Sequence, residues 1–145
     1  EIIEKYGIQS LSNIFNFNIP VKHFGAEELS HNLDQRRGLD KYVHLAFIKD
    51  HPMYHVAKRR SNIIEPIWIE IDSSLLYDEN TLFSDRVANA RESNIFRINR
   101  IFDFIDFDTI LSEEHSFIRK EARKAEIMVF DSISIDKIKG ITYGN

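Results

Sequence analysis

The sequence predicts an α+β domain, and three observations carry that reading. Apolar runs of strand length, at Tyr42 to Phe47, Pro66 to Ile71 and Ala125 to Asp131, lie irregularly among helical patterns instead of alternating with them. Hydrophobic residues make up 43% and charged residues 29% of the 145, which suits a folded globule and excludes a disordered chain or a coiled coil. The longest apolar runs fall far short of the roughly 20 residues that a membrane helix needs. No signal-peptide pattern opens the chain, so a cytoplasmic protein is expected.

Residues 1–145 read as a single domain, since a chain of this length buries roughly 70% of its unfolded surface around one core. The stretch Glu1 to Ile8 reads as the end of a helix stopped by Gly7, so part of the N-terminus is expected to precede Glu1. Ala26 to Arg37 has apolar positions at Ala26, Leu29 and Leu33 amid charge, an exposed amphipathic helix that Gly38 ends. Tyr42 to Phe47 and Pro66 to Ile71 are expected to be largely buried strands, with a short helix between them that has Pro52 near its first position. Ser73 to Tyr77 reads as a capped helical turn and Leu82-Phe83 as a short strand.

From Asn94 to Leu111 the apolar residues favour helical spacing, with Asp103, Asp106 and Asp108 weakening the end. Ser112 to Lys124 reads as a loop passing into a short helix. Ala125 to Asp131 is the clearest late strand, followed by a capped turn from Ser134 and a last strand at Ile141 to Tyr143.

Composition excludes several chemistries. Without cysteine there is no disulfide framework, thiolate nucleophile or cysteine-ligated metal. Among five glycines there is no Walker loop and no GxGxxG fingerprint, so a nucleotide must be held by other means. His51 and His55 have the i, i+4 spacing of two ligands on one helix face, but the His-Glu-x-x-His pattern is absent and no metal is expected. Asp103, Asp106 and Asp108 match no magnesium motif, and a polar surface face explains them. The formal charge of −4 argues against indiscriminate nucleic-acid binding, yet cations cluster at Lys58-Arg59-Arg60 and at Arg119-Lys120 with Arg123-Lys124. Each cluster alone is also what a solvated helix face looks like.

Glu126 stands apart, because it opens the apolar run Ile127 to Phe130 directly after a highly charged segment. A carboxylate there is held rigidly by a core strand while a flanking loop can reach it. By pattern alone the position equally suits a solvated strand end.

Several segments, in order along nearly the whole chain, resemble the DarT family. They are Ile2 to Ser10, Gln35-Arg36-Arg37, Tyr42 to Phe47 followed by His51-Pro52-Met53, Phe83-Ser84-Asp85 with Ala88-Asn89, and Arg123 to Val129 with its Lys-Ala-Glu-aliphatic core. Members of that family resemble poly-ADP-ribose-polymerase-type transferases and attach ADP-ribose from NAD to bases of single-stranded DNA. The resemblance implies a split β-sheet core with short flanking helices, and Glu126 as the catalytic carboxylate that binds a ribose hydroxyl and stabilises an oxocarbenium-like transition state. It implies Arg37 as the arginine near NAD and acceptor, with Ser10, Tyr42, His44 and Phe47 bordering the NAD. The family's NAD-contacting histidine and asparagine precede its first glycine and so fall ahead of Glu1.

The resemblance also makes Ser112 to Lys124 a target-recognition loop, with Arg119, Lys120 and Arg123 on DNA phosphates and His115 or Phe117 stacked on a base. A toxin is implied, with a macrodomain antitoxin as partner. Other readings are a transferase of the same fold acting on RNA or protein, and a non-catalytic module that binds DNA without consuming NAD. A metal-dependent nuclease would instead lose activity with a chelator and ignore NAD.

Overall fold

The computed structural model describes residues 2–19, 38–61, 65–88, 90–113 and 116–144. The helix expected over Ala26 to Arg37 lies outside the described residues. At the N-terminus, α1 (Ile2–Tyr6) stops at Gly7, whose φ of 68° carries the chain out of the helix while its N–H bonds Ile3 O at 2.8 Å. A two-residue strand β1 (Ile8–Gln9) follows, then α2 (Leu11–Asn16), capped by the Ser10 hydroxyl on Asn13 N.

The site is built on a four-stranded antiparallel sheet of order β2-β6-β4-β5, made of β2 (Tyr42–Ala46), β4 (Leu82–Ser84), β5 (Ile95–Phe96) and β6 (Glu126–Phe130). Two smaller pairs flank it: β1 with β7 (Ser132–Ile133), and β3 (Ile67–Ile71) with β8 (Ile138–Tyr143). Mixed helices and split sheets bear out the expected fold class.

Register and the two-residue pleat decide which side chains share a face. Val129 opposite Val43, and Ile127 opposite both Leu45 and Phe83, bring these residues to the main core with Phe96, Ile101, Ile105 and Ile110. Glu126 opposite Ala46 and Ser84, Met128 opposite His44 and Leu82, and Phe130 opposite Tyr42 form the other face. There a smaller cluster of Leu39, Ala88 and Met128 packs with Tyr42 and Leu82.

Local signals place the helices around the sheet. His51 caps α3 (Pro52–Arg59), with Pro52 at the position where its missing N–H costs nothing. A 3-10 turn at Ser73–Tyr77 is capped by Asp72. The described residues contain no helix long and apolar enough to cross a membrane.

Three expectations need correction. Asn94 to Leu111 is not one helical stretch. Ile95 and Phe96 pair with β4 instead, and α4 (Ile101–Phe104) is separated from α5 (Phe107–Leu111) by Ile105 in extended backbone. Asp106 drives that break, because its carboxylate caps α5 at Thr109 N. The strand β3 is not largely buried. Among the described residues its only strand partner is β8, and Ile67 is 58% exposed. Finally, β8 starts at Ile138, three residues earlier than the expected Ile141.

Candidate active site

Glu126 is the first residue of β6, and the helix α6 (Phe117–Ala122) delivers the chain to it through Arg123, Lys124 and Ala125. The strand holds its backbone between β2 and β4, while its side chain stays 15% exposed. Two groups converge on Oε2. The Ala88 N–H donates to it at 2.7 Å, and His44 Nδ1 lies 3.6 Å away. A carboxylate clamped through one oxygen by the main chain cannot rotate freely. Among the described residues Oε1 has no bonded partner.

His44 is fixed from behind, its Nε2 lying 2.9 Å from Leu39 O. Carbonyl oxygen only accepts, so Nε2 carries the hydrogen and Nδ1 is the ring atom presented to Glu126. The short 3-10 turn at Leu39–Lys41, entered from Gly38 at φ 71°, aims that carbonyl.

His51 is buried at the head of α3, where Nδ1 accepts from Met53 N at 3.1 Å. Burial holds its pKa below the ordinary histidine value, against the opposing pull of the Glu126 charge. His55 pairs with Asp50 at 2.5 Å. The two histidines spaced as metal ligands are thus a helix cap and a hydrogen-bond partner of Asp50, and no group of three or more metal-ligating side chains occurs among the described residues.

Asp50 is the hub of a second cluster. Its carboxylate meets His55, bonds Arg123, and lies 3.9 Å from Arg119. The hydrogen bond from His55 is the main reason its pKa is lowered, with the Arg123 charge adding to it. This cluster ties α6 to the start of α3.

The expected site residues separate into groups. Glu126 and His44 come together. Tyr42 is on the same face but four residues along, about 13 Å from Glu126 in strand length, edge-on to Phe130 at 5.4 Å. Ser10 is 1% exposed, and its hydroxyl is occupied in capping α2. Phe47 sits apart from Glu126, because strand parity turns it into the main core against Phe83 and Phe107. Arg119 and Arg123 are held by Asp50, whereas Lys120 and Phe117 face solvent. Arg37 and His115 lie outside the described residues.

Sequence reasoning missed the roles of Ala88, Leu39 and Asp50. The first two act through the backbone, which side-chain chemistry does not advertise. Asp50 offered one faint signal, an acid just before a capped, proline-started helix.

A model of the family described as "DarT: ssDNA thymidine ADP-ribosyltransferase, DarT" matches residues 1–145, the whole of the chain. The chain belongs to the DarT family. Its fold agrees with that of solved DarT structures. Thermus sp. 2.9 DarT in complex with ADP-ribosylated ssDNA superposes with a TM-score of 0.74 at 17% identity, over 96% of this chain and 73% of that one. Thermosipho africanus DarTG in complex with ADP-ribose gives 0.71 at 18% identity, over 96% of this chain and 39% of that one. Thermus sp. 2.9 DarT in complex with carba-NAD+ gives 0.69 at 17% identity, over 96% and 74%. No curated protein sequence matches. The resemblance read from the scattered DarT segments is borne out in family, fold and transferase class.

Proposed function

We propose that this chain transfers ADP-ribose from NAD to thymidine in single-stranded DNA, with Glu126 as its catalytic carboxylate. The observation that carries the reading is the grip on Glu126, whose Oε2 takes the Ala88 amide while Oε1 has no bonded partner among the described residues. The bond between the nicotinamide nitrogen and the ribose anomeric carbon breaks, its electron pair leaving with nicotinamide. The thymine ring nitrogen bonds the anomeric carbon and gives up its proton. Glu126 holds a hydroxyl of the reacting ribose and stabilises the positive charge that builds on the sugar.

NAD is the substrate on this reading. Tyr42 and His44 border its nicotinamide half from β2, Arg37 meets the diphosphate or the acceptor, and Ser10 supports the ribose side through α2. The acceptor approaches from the α6 side, where Lys120 and Phe117 are exposed. We further infer a cytoplasmic toxin of a toxin–antitoxin or phage-defence pair, with a macrodomain antitoxin as partner.

The test is mass spectrometry of mixed-sequence single-stranded DNA and RNA oligonucleotides incubated with NAD and the full-length protein, beside Glu126→Gln. A gain of one ADP-ribose on thymidine, absent with the variant, is expected. No gain on either polymer would sink the reading.

A further inference from the structure

Ala88 reaches Glu126 from the connection 85–94, which joins β4 to β5. Hairpin connections are commonly two to five residues, and a longer one keeps its shape only through bonds of its own. Those bonds converge on Ala88. At the base of the connection, directly beyond the paired residues Ser84 and Ile95, Asp85 and Asn94 form a clasp. Asn94 N donates to Asp85 Oδ1 at 2.8 Å, Asn94 Nδ2 donates to Asp85 Oδ2 at 2.8 Å, and Asp85 N donates to Asn94 O at 3.4 Å. One residue thus engages both carboxylate oxygens, which fixes angle as well as distance. Beside the clasp the wholly buried Ser84 hydroxyl donates to Arg86 O at 2.6 Å.

Ser93, the neighbour of Asn94, carries the hold inward. Its hydroxyl lies 2.9 Å from Ala88 O and 3.0 Å from Ala90 O, and turns from Ala90 N to Val87 O and from Ser93 N to Ala90 O close around it. The residue whose N–H meets Glu126 is therefore held by its own carbonyl as well. The clasp bonds lie at the surface, where each adds only modestly to stability, so the fold does not depend on them. The place of one amide does. We propose that Asp85 and Asn94 are positioning residues for the transfer step: their clasp, relayed by Ser93, keeps the Ala88 N–H on Glu126 Oε2 and so aims Oε1 at the reacting ribose. The inference rests on the reading that Glu126 is the catalytic carboxylate. A carboxylate released by a shift of the loop would still bind substrate but would meet the sugar at the wrong angle, and errors of that size are costly to rate.

The test uses the full-length, isotope-labelled protein, with transfer kinetics on a thymidine-containing single strand and amide hydrogen exchange followed residue by residue. Asp85→Ala is expected to lower kcat about tenfold or more with KM for NAD unchanged, and to speed exchange of the Ala88 amide about tenfold while the β6 amides keep their protection. Ser93→Ala leaves Asp85 and Asn94 in place and should act in the same direction to a smaller degree. The exchanged pair, Asp85→Asn with Asn94→Asp, can rebuild the fork with one donor and acceptor reversed, and should recover most of the rate and the protection, whereas Asp85→Asn alone sets two amide NH2 groups against each other and should not. Ala88 exchange that is unchanged in Asp85→Ala would overturn the proposal, and so would faster Ala88 exchange with kcat intact. Exchange accelerated equally along β6 would also overturn it, since the clasp would then serve the fold and not the carboxylate. Failure of the parent to modify DNA would count against the transferase reading, while the exchange comparison, which needs no turnover, separately decides whether the clasp holds Ala88.

Discussion

His44 Nδ1 stands 3.6 Å from Glu126 Oε2 while the opposite nitrogen of the same ring is committed to the Leu39 carbonyl. The proposed transfer releases a proton from the thymine ring, and His44 Nδ1 lies beside the carboxylate proposed to meet the reacting sugar. His44→Ala is therefore expected to lower kcat for transfer by about a hundredfold, in the range of general-base contributions. Added imidazole should restore part of the rate, measured by single-turnover mass spectrometry. An unchanged kcat would reduce His44 to a wall of the NAD pocket.

Glu126→Gln keeps the side chain's shape and an oxygen for the Ala88 amide but removes the charge proposed to oppose the sugar cation. Transfer is expected to fall by about a thousandfold or more, with the melting temperature within a few degrees of the parent. A variant that retains a tenth of the activity would show that the carboxylate is not the catalytic group.

Met128 is wholly buried in the small cluster with Leu39 and Ala88, the two residues whose backbones hold His44 and Glu126. Met128→Ala should cost about 2–5 kcal/mol of stability. Because its neighbours supply both backbone holds, kcat should also fall at temperatures where the variant is fully folded. Denaturant unfolding and kinetics on the same preparation separate the two effects, and a stability loss without any loss in kcat would disconnect the cluster from catalysis.

Burial holds the folded-state pKa of His51 below its unfolded value, so the unfolded chain takes up this proton first as pH falls. The stability it contributes is fully present above about pH 6.5 and drains away as pH drops through the unfolded value toward the folded one. His51→Asn keeps a good N-cap for α3 without titrating. Its melting temperature should fall less than the parent's between pH 7 and 5, and parallel curves would refute the assignment.

Gly7 ends α1 at φ 68°, and a Cβ there would collide with the Ile133 carbonyl oxygen. Gly7→Ala is expected to cost about 2 kcal/mol or more, from the left-handed backbone and the clash together. Urea unfolding measures it, and a neutral substitution would mean that β1 and β7 do not pair as described.

Where structure is local, the sequence made it legible. Gly7 and Pro52 mark helix ends through interactions a few residues long, and the runs at Tyr42 and Glu126 are apolar enough to be strands, whereas α2 with its Ser10 cap went unread. Alternation from Tyr42 and His44 puts Phe47 on the other face, where it packs against Phe83 and Phe107. Other features depend on partners distant in the chain. Ile95 and Phe96 become a strand because Phe83 and Ser84 are waiting for them, and Arg123 is drawn to Asp50 across 73 residues. Neither pairing leaves a periodicity that a reader of one sequence can follow.

Every amino acid except proline brings a backbone N–H, so position 88 can exchange its side chain over evolutionary time without releasing Glu126, provided the newcomer fits a wholly buried space. Relatives compared letter by letter there would look unconstrained beyond being small. The requirement is written in the path of the chain, and a survey of all substitutions at that position should reveal it as intolerance of proline and of bulk.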